Sequence, residues 1–319
     1  SPFNAAQIQQ AELALAAWSD VARISFQRIG GYTNAASILF ANYDTGSDGA
    51  SAFAYYPGNL ASGSVSGDVW INVRAGSNGS PATFNYGAHV LAHEIGHAIG
   101  LAHPSEYDAT PDANNTYASQ ADYAEDTRQY TVMSYFSEFN TGGAFGGLYA
   151  AAPMLDDIAA AQMLYGPNMA TRTGDTVYGF NANAGRPWFE AAANLRVVFA
   201  VWDAGGRDTF DFSGYVSDAV IDLRQGAFSS TGGLKGNVAI AVGADIEIAI
   251  GGGGHDVIYG NPLANVLIGG TGNDSLSGFE GEDSIAGGFG QDQLWGGGAW
   301  DYMHGNQGAD TLWGGDGGD

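Results

Sequence analysis

The stretch HEIGHAIGLAH, residues 93 to 103, gathers three of the chain's six histidines and one glutamate into eleven residues. His93 and His97 are four apart, so on a helix both imidazoles leave from one face and can share an ion. Gly100 lets the chain turn out of the helix, and His103 returns from beyond the turn as a third nitrogen. Three neutral nitrogens suit Zn²⁺ and leave its fourth tetrahedral position to a water, which zinc acidifies to a pKa of roughly 7. Glu94, beside the first histidine, cannot easily be a fourth ligand at that spacing, but it can take the water's proton and pass it to a leaving amine. The chain's own residue frequencies give about 10⁻⁵ chance occurrences of HExxHxxGxxH, so coincidence does not explain it. A helix face without metal would bury three unpaired imidazoles beside a carboxylate, which is costly. His89, one turn earlier, is a tempting further donor. Ligation by residues 89, 93 and 97 would leave Gly100 and His103 without purpose, so His89 reads as a packing or supporting residue.

Elements that must position these groups follow from periodicity. Residues 5 to 21, AAQIQQAELALAAWSDV, place Ile8, Leu13, Leu15, Trp18 and Val21 in an Ala/Gln/Glu-rich run and predict an amphipathic helix. Strand-like segments follow at RISFQRI (23–29), SILFANY (37–43), SAFAYYP (51–57) and DVWINV (68–73), separated by Gly, Ser and Asn. The histidine helix is predicted from Phe84 to Ile99 with Gly100 as its C-terminal cap, and PMLDDIAAAQMLYG (153–166) predicts a further helix. Helix, strands, then helix imply a mixed sheet with packed helices, an α/β or α+β domain.

Beyond about residue 170 the pattern turns all-β, and beyond 250 it becomes periodic, with glycines nine apart from Gly251 to Gly314. Residues 251–319 hold 22 of the chain's 50 glycines, which marks a separate compositional region. Each unit fits GGxGxDxUx, the calcium-binding parallel β-helix repeat. Its glycines allow a tight turn with inward carbonyls, as at Gly252, Gly254, Gly270, Gly272, Gly281, Gly288, Gly290 and Gly308. The sixth position supplies a carboxylate: Asp256, Asp274, Asp283, Asp292, Asp301, Asp310 and Asp319. The eighth, filled by Ile258, Leu267, Leu276, Ile285, Leu294, Met303 and Leu312, is predicted to face a narrow apolar interior. Ca²⁺ takes six to eight oxygens, and two stacked turns can offer three each. Without the ion the carboxylates repel, so folding and binding are expected to be one event. A flexible Gly/Asp linker does not account for the apolar eighth position. The second unit has Asn265 in place of Asp and Pro262 within its turn, which predicts a weaker or absent site. His255 and His304 fall at variable repeat positions and read as exposed.

The totals narrow the function classes. Formal charge is −24, from 34 acidic against 10 basic residues, which argues against a nucleic-acid partner and for hard cations. The chain contains no cysteine, so zinc must be held by His, Asp, Glu or Tyr. No apolar run approaches the roughly 18 residues of a membrane span. The chain opens at Ser1-Pro2 and stops at Asp319 inside a repeat, so a processed or partial chain is expected.

Downstream of the histidines, TVMSYF puts Met133 and Tyr135 where the long zinc-protease motif requires a methionine turn beneath the metal. HEIGHAIGLAHP, YAEDTRQYTVMSYFSE, AAPMLDDIAAAQMLYG and the GGxGxD array together resemble the serralysins, secreted alkaline metalloproteases of the metzincin clan. Pro104 after the third histidine favours this branch over the matrix metalloproteases and astacins.

The resemblance implies an α+β catalytic domain followed by an all-β domain with a parallel β-roll. Domains are expected at 1–169 (catalytic, its first strand missing), 170–250 (a β-rich junction with calcium sites) and 251–319 (the truncated calcium roll). It implies one catalytic Zn²⁺, several structural Ca²⁺, and a role for Tyr135 as a displaceable zinc ligand that stabilises the tetrahedral oxyanion. It carries junction calcium ligands onto Arg172, Gly174, Thr176, Asp203, Gly205, Gly206, Asp208 and Glu247, with Asp245 standing where the family has Thr. DVWINV is the candidate edge for pairing with extended polypeptide substrate, which would make specificity broad. A proteinaceous inhibitor, a monomeric state and export in an unfolded form, by a C-terminal signal absent from this chain, are further expectations. The competing reading is a non-catalytic, calcium-dependent adhesion or secretion module with a vestigial protease half.

Overall fold

In the computed structural model, which describes residues 1–29, 38–44, 50–58, 66–107 and 116–318, the chain separates into two compact units. The first holds Ser1–Gly142 and Gly146–Asn168, and the second holds Gly143–Phe145 and Met169–Asp319. No helix among the described residues is long and apolar enough to cross a membrane.

The first unit is α+β. Helix α1, Ala5–Val21, starts in a capping box in which Asn4 Oδ1 accepts from the Gln7 amide and Gln7 Oε1 accepts from the Asn4 amide, each at 3.0 Å. Its face carrying Ala14, Trp18 and Val21 is buried. Strands β1 (Phe40–Tyr43), β2 (Ala52–Ala54) and β3 (Val69–Asn72) form a mixed sheet in the order β1-β3-β2, parallel between β1 and β3 and antiparallel between β2 and β3. Helix α2, Tyr86–Ala98, follows, with Asn85 Oδ1 capping the Ala88 amide at 3.0 Å. A short helix α3, Tyr117–Gln120, and helix α4, Leu155–Tyr165, complete the unit. Trp18, with no exposed surface, donates from Nε1 to the Ala92 carbonyl at 3.1 Å and fixes α1 against α2.

Two expectations fail here. RISFQRI alternates, but residues 23–29 join no ladder. The nearest pairing is an isolated bridge from Ala22 to Pro167, and among the described residues no strand lies alongside. DVWINV is not a sheet edge: β3 runs between β1 and β2, so both its sides are taken, and the edge strand beside it is β2. Hydrophobicity marks a strand, while its place in the sheet depends on non-local pairing that the segment's own sequence does not encode.

The second unit is all-β. Its strands are β4 (Val177–Gly179), β5 (Phe199–Val201), β6 (Thr209–Asp211), β7 (Val220–Asp222), β8 (Phe228–Ser229), β9 (Val238–Ile240), β10 (Ile248–Ile250) and β11 (Val257–Tyr259). They continue as β12 (Val266–Thr271), β13 (Ser275–Phe279), β14 (Ser284–Phe289), β15 (Gln293–Gly298), β16 (Tyr302–Gln307) and β17 (Thr311–Asp316). Two parallel sheets, β16-β14-β12-β10-β6-β4 and β17-β15-β13-β11-β7, form the roll, and both ladders run through residue 250 without a break. Strands β5, β9 and β8 make a small separate sheet. The eighth-position residues Ile258, Leu267, Leu276, Ile285 and Leu294 are fully or almost fully buried between the sheets. Leu312 departs from the expectation at 42% exposed, because β17 is an edge strand and the sheet covers it on one side only. Asp319 lies outside the described residues.

Candidate metal centre

Helix α2 ends in a Schellman motif: the Gly100 amide donates to the His97 carbonyl and the Leu101 amide to the Gly96 carbonyl, both at 2.9 Å, with Gly100 at φ +104°. That left-handed step reverses the chain and brings His103 back over the helix. Its Nε2 lies 3.2 Å from Nε2 of His93 and 3.0 Å from Nε2 of His97. The second ring nitrogens of the helical pair are fixed from behind. His93 Nδ1 faces the Val132 carbonyl and His97 Nδ1 the Leu101 carbonyl, each at 2.8 Å. A carbonyl only accepts, so Nδ1 carries the proton and Nε2 is left with a lone pair. Burial, then mutual repulsion, lowers His93 far below its ordinary value and His103 to about 4, and burial lowers His97. Neutral lone pairs converging at such distances repel one another unless a cation sits among them, and an imidazole set of this kind is zinc's. Among the described residues these three are the one group whose ligand atoms lie close enough together to hold a metal.

Glu94 is 6% exposed and its Oε2 has no hydrogen-bond partner, and burial pushes its carboxyl up to about 8. A carboxyl group next to a histidine of the triad in the chain is of the type that takes and returns a proton. Tyr135, 49% exposed, lays its ring 4.7 Å from that of His103 and 5.9 Å from that of His93. Its phenol is raised to about 12 by burial and then by Glu94. Met133 is 2% exposed and lies against Gly96 of α2. His89 is buried, facing the Ala150 carbonyl at 3.2 Å and packed against Tyr149, apart from the three converging nitrogens. His255 and His304 are exposed.

Several contributors escape a reading by spacing. Asp157, at the first turn of α4, accepts from the amides of Val132 (2.7 Å) and Met154 (2.8 Å) and from the Thr131 hydroxyl (2.5 Å). It thereby orients the segment whose Val132 carbonyl holds His93. Tyr56, just past β2, packs its ring edge-on at 5.3 Å from the His97 ring. The acidic start of the PMLDD helix was the available signal for Asp157; Tyr56 had none.

In the second unit the roll carboxylates repeat one arrangement. The amides of Asp256, Asn265, Asp274 and Asp283 donate at 2.7 to 3.0 Å to Oδ1 of Asp274, Asp283, Asp292 and Asp301, each 18 residues on. The Asp292 amide does the same to Asp310. Oδ2 of Asp274, Asp283 and Asp292 is buried without a hydrogen-bond partner, an oxygen row that suits a hard cation. Burial, then neighbouring carboxylates, pushes Asp274 up to about 6 and Asp283 up to about 7. A Cβ at Gly270 or Gly288 would meet the Gly252 or Gly270 carbonyl of the neighbouring coil, and one at Gly272, Gly290 or Gly308 the carbonyl of Gly254, Gly272 or Gly290. Gly281 likewise crowds the Leu263 carbonyl. In the second unit, Asn265 Oδ1 accepts from the Asn261 amide at 2.7 Å and its Nδ2 donates to Asn261 Oδ1 at 3.0 Å, so neutral amides close that coil.

At the junction Asp208 Oδ1 accepts from the Thr176 amide and Glu247 Oε2 from the Asp208 amide, both at 2.7 Å, while Asp208 Oδ2 is left open. Asp203 accepts from Gly205 and Tyr178, and Gly206 sits tight against Gly174. Arg172 adopts φ +47°. Asp245 is exposed and accepts from Gln225 instead.

Comparison with known proteins agrees with this picture. A family model described as "Metallo-peptidase family M12" matches residues 5–143, and one described as "Peptidase M10 serralysin C terminal" matches residues 167–311. Serralysin C of Dickeya chrysanthemi is 53% identical over 261 residues, covering 80% of this chain and 54% of its own length. Metalloprotease AprA of Pseudomonas entomophila (strain L48) is 50% identical over 279 residues, 84% of this chain and 56% of its own. Serralysin of Photorhabdus luminescens is 47% identical over 272 residues, 84% and 55%. The chain thus spans about half the length of the curated relatives it matches.

Proposed function

The chain belongs to the serralysin family, and from that premise we propose that it is a zinc-dependent endopeptidase acting on extended polypeptides, with the roll held by structural calcium. The observation that carries this reading is the convergence of three Nε2 lone pairs, with Glu94, next to His93 in the chain, buried and its Oε2 without a hydrogen-bond partner.

His93, His97 and His103 would hold the zinc, which when bound supplies Lewis acidity to a water and to the scissile carbonyl. The rest falls to the chain's own groups. Glu94 accepts the proton of the attacking water and delivers it to the departing amine. Tyr135 donates its phenolic hydrogen to the oxygen that gains negative charge, where a fixed donor is worth most. The substrate backbone pairs with β2. Tyr55 donates to the Asp68 carbonyl and Asn72 to the Ser51 carbonyl, each at 3.0 Å, so Ser51, Phe53 and Tyr55 face β3 while Ala52, Ala54 and Tyr56 turn their amides and carbonyls outward. Main-chain pairing leaves side-chain preference broad.

Asp274, Asp283, Asp292 and Asp301 would hold calcium in the roll, and Thr176, Asp203, Asp208 and Glu247 at the junction. Millimolar calcium outside the cell fits folding after export. Action as a monomer and blockade by a protein inhibitor seated on the β2 edge belong to the same proposal. The non-catalytic alternative gains no support from a site in which base, triad and tyrosine stand together.

Casein hydrolysis abolished by a zinc chelator tests the reading. Glu94→Ala is expected to lose that hydrolysis while elemental analysis still finds zinc; turnover retained in this variant removes the general-base role.

A further inference from the structure

His103 differs from the other two donors: among the described residues no carbonyl faces its Nδ1, and its ring instead packs against two aromatic neighbours. Tyr107 packs 5.1 Å from it and Tyr135 4.7 Å from it. The two tyrosines stack on each other at 4.6 Å with an interplanar angle of 25°. Tyr107 is itself tied down. Its hydroxyl donates to Oδ1 of Asp126, a carboxylate with no exposed surface. The same carboxylate accepts from Ser105 Oγ and from Ser134 Oγ, both at 2.6 Å. Ser105 follows the third histidine by two residues and Ser134 immediately precedes Tyr135. Each serine hydroxyl also accepts a backbone amide, from Asp122 (2.9 Å) and Phe136 (3.0 Å), so its own hydrogen is committed to Asp126. One buried acid therefore joins the loop leaving the histidine motif to the segment that carries Tyr135.

We propose that Tyr107, tethered by Asp126, is a positioning residue: its ring is the plate on which Tyr135 rests, and it sets where the Tyr135 phenol stands relative to His103. The inference rests on the reading of Tyr135 given above and adds to it a residue that touches neither substrate nor ion. A group that must swing during a reaction needs a surface that fixes its resting place without a hydrogen bond to break, and a stacked ring does that. An offset aromatic pair biases a rotamer without locking it.

Tyr107→Leu and Tyr107→Phe in the full chain, each alone and combined with Tyr135→Phe, test this through kcat and KM on an extended peptide. A second readout is the phenolate-to-metal charge-transfer absorption of the copper(II)-loaded protein. Tyr107→Leu is expected to lower kcat about tenfold with KM within about twofold, and to shift or weaken the absorption band. Tyr107→Phe, which keeps the ring and loses the tether, should cost about threefold. In the Tyr135→Phe background both further losses should vanish, because no phenol is left to place. Equal losses in both backgrounds, or a band unmoved by Tyr107→Leu, overturn the proposal. If Tyr107→Leu does not fold, Tyr107→Phe carries the same two comparisons. Wild-type protein without zinc-dependent hydrolysis defeats the functional reading instead, and the copper band still decides the placement of Tyr135.

Discussion

A Cβ built on Gly96 would stand 2.6 Å from the sulfur of Met133 and 3.2 Å from the Trp18 ring. The helix that presents His93 and His97 thus touches the methionine turn with nothing between them but a glycine's hydrogens. Met133 is 2% exposed and Trp18 fully enclosed, so neither has free space to retreat into. Gly96→Ala should therefore destabilise the first unit by about 1–3 kcal/mol despite the better helix propensity of alanine. Urea unfolding with the metal chelated checks it, and an unchanged or raised midpoint contradicts the close contact.

The convergence of His93, His97 and His103 was legible because its geometry is local. An i, i+4 pair, a left-handed glycine and a return after three residues are all written within one turn and its cap. The same held for the roll, where a nine-residue period fixes both the burial of Ile258 or Leu276 and the stacking of Asp274 on Asp256. What the sequence could not show is pairing over distance. DVWINV read as an edge because nothing within it reveals that β2 closes its far side. Asp126 and Asp157 lie inside the quoted segments YAEDTRQYTVMSYFSE and AAPMLDDIAAAQMLYG, but spacing gives neither a role, because their roles arise only where the fold brings Ser105 and Ser134, or Val132 and Met154, to their oxygens.

Asp157 supplies a pH-dependent prediction. Burial raises its carboxyl from 3.8 to about 6 against the lowering effect of its three donors. A raised acid binds its proton in the folded state where the unfolded chain has already lost it. The stability it contributes is thus full below about pH 4 and is lost as pH rises through about 6. Between pH 4 and 7 wild type should lose up to about 3 kcal/mol relative to Asp157→Asn. Chemical unfolding of both proteins across that range measures the difference; a wild type that gains on the variant would mean that the hydrogen bonds outweigh burial.

Calcium removal should separate the two units. The open Oδ2 atoms of Asp274, Asp283 and Asp292 leave the roll with uncompensated buried charge. Chelation with EGTA is expected to abolish the cooperative melting of the roll. Asp283→Asn should raise the calcium concentration needed to restore it, whereas Asn265→Asp should make melting more calcium-dependent by replacing an amide that now satisfies Asn261. Circular dichroism at graded free calcium follows both, and a roll that melts identically with and without the ion refutes the assignment.

The direction in which β2 offers its backbone makes the last prediction. Its neighbour β3 takes the hydrogen-bonding groups of Ser51, Phe53 and Tyr55, and those of Ala52, Ala54 and Tyr56 point the other way. An extended peptide laid along that edge must alternate too, with every second amide bonded to the enzyme and the others turned to solvent. A series of otherwise identical peptides, each N-methylated at one position, should then lose kcat/KM with a period of two. The loss is expected to be about tenfold at bonded positions, where one hydrogen bond is removed and a methyl group intrudes, and slight at the rest. Side-chain substitutions at the same positions should matter less than methylation. A uniform decline along the peptide, or one that tracks side-chain identity, would place the substrate somewhere other than on this strand.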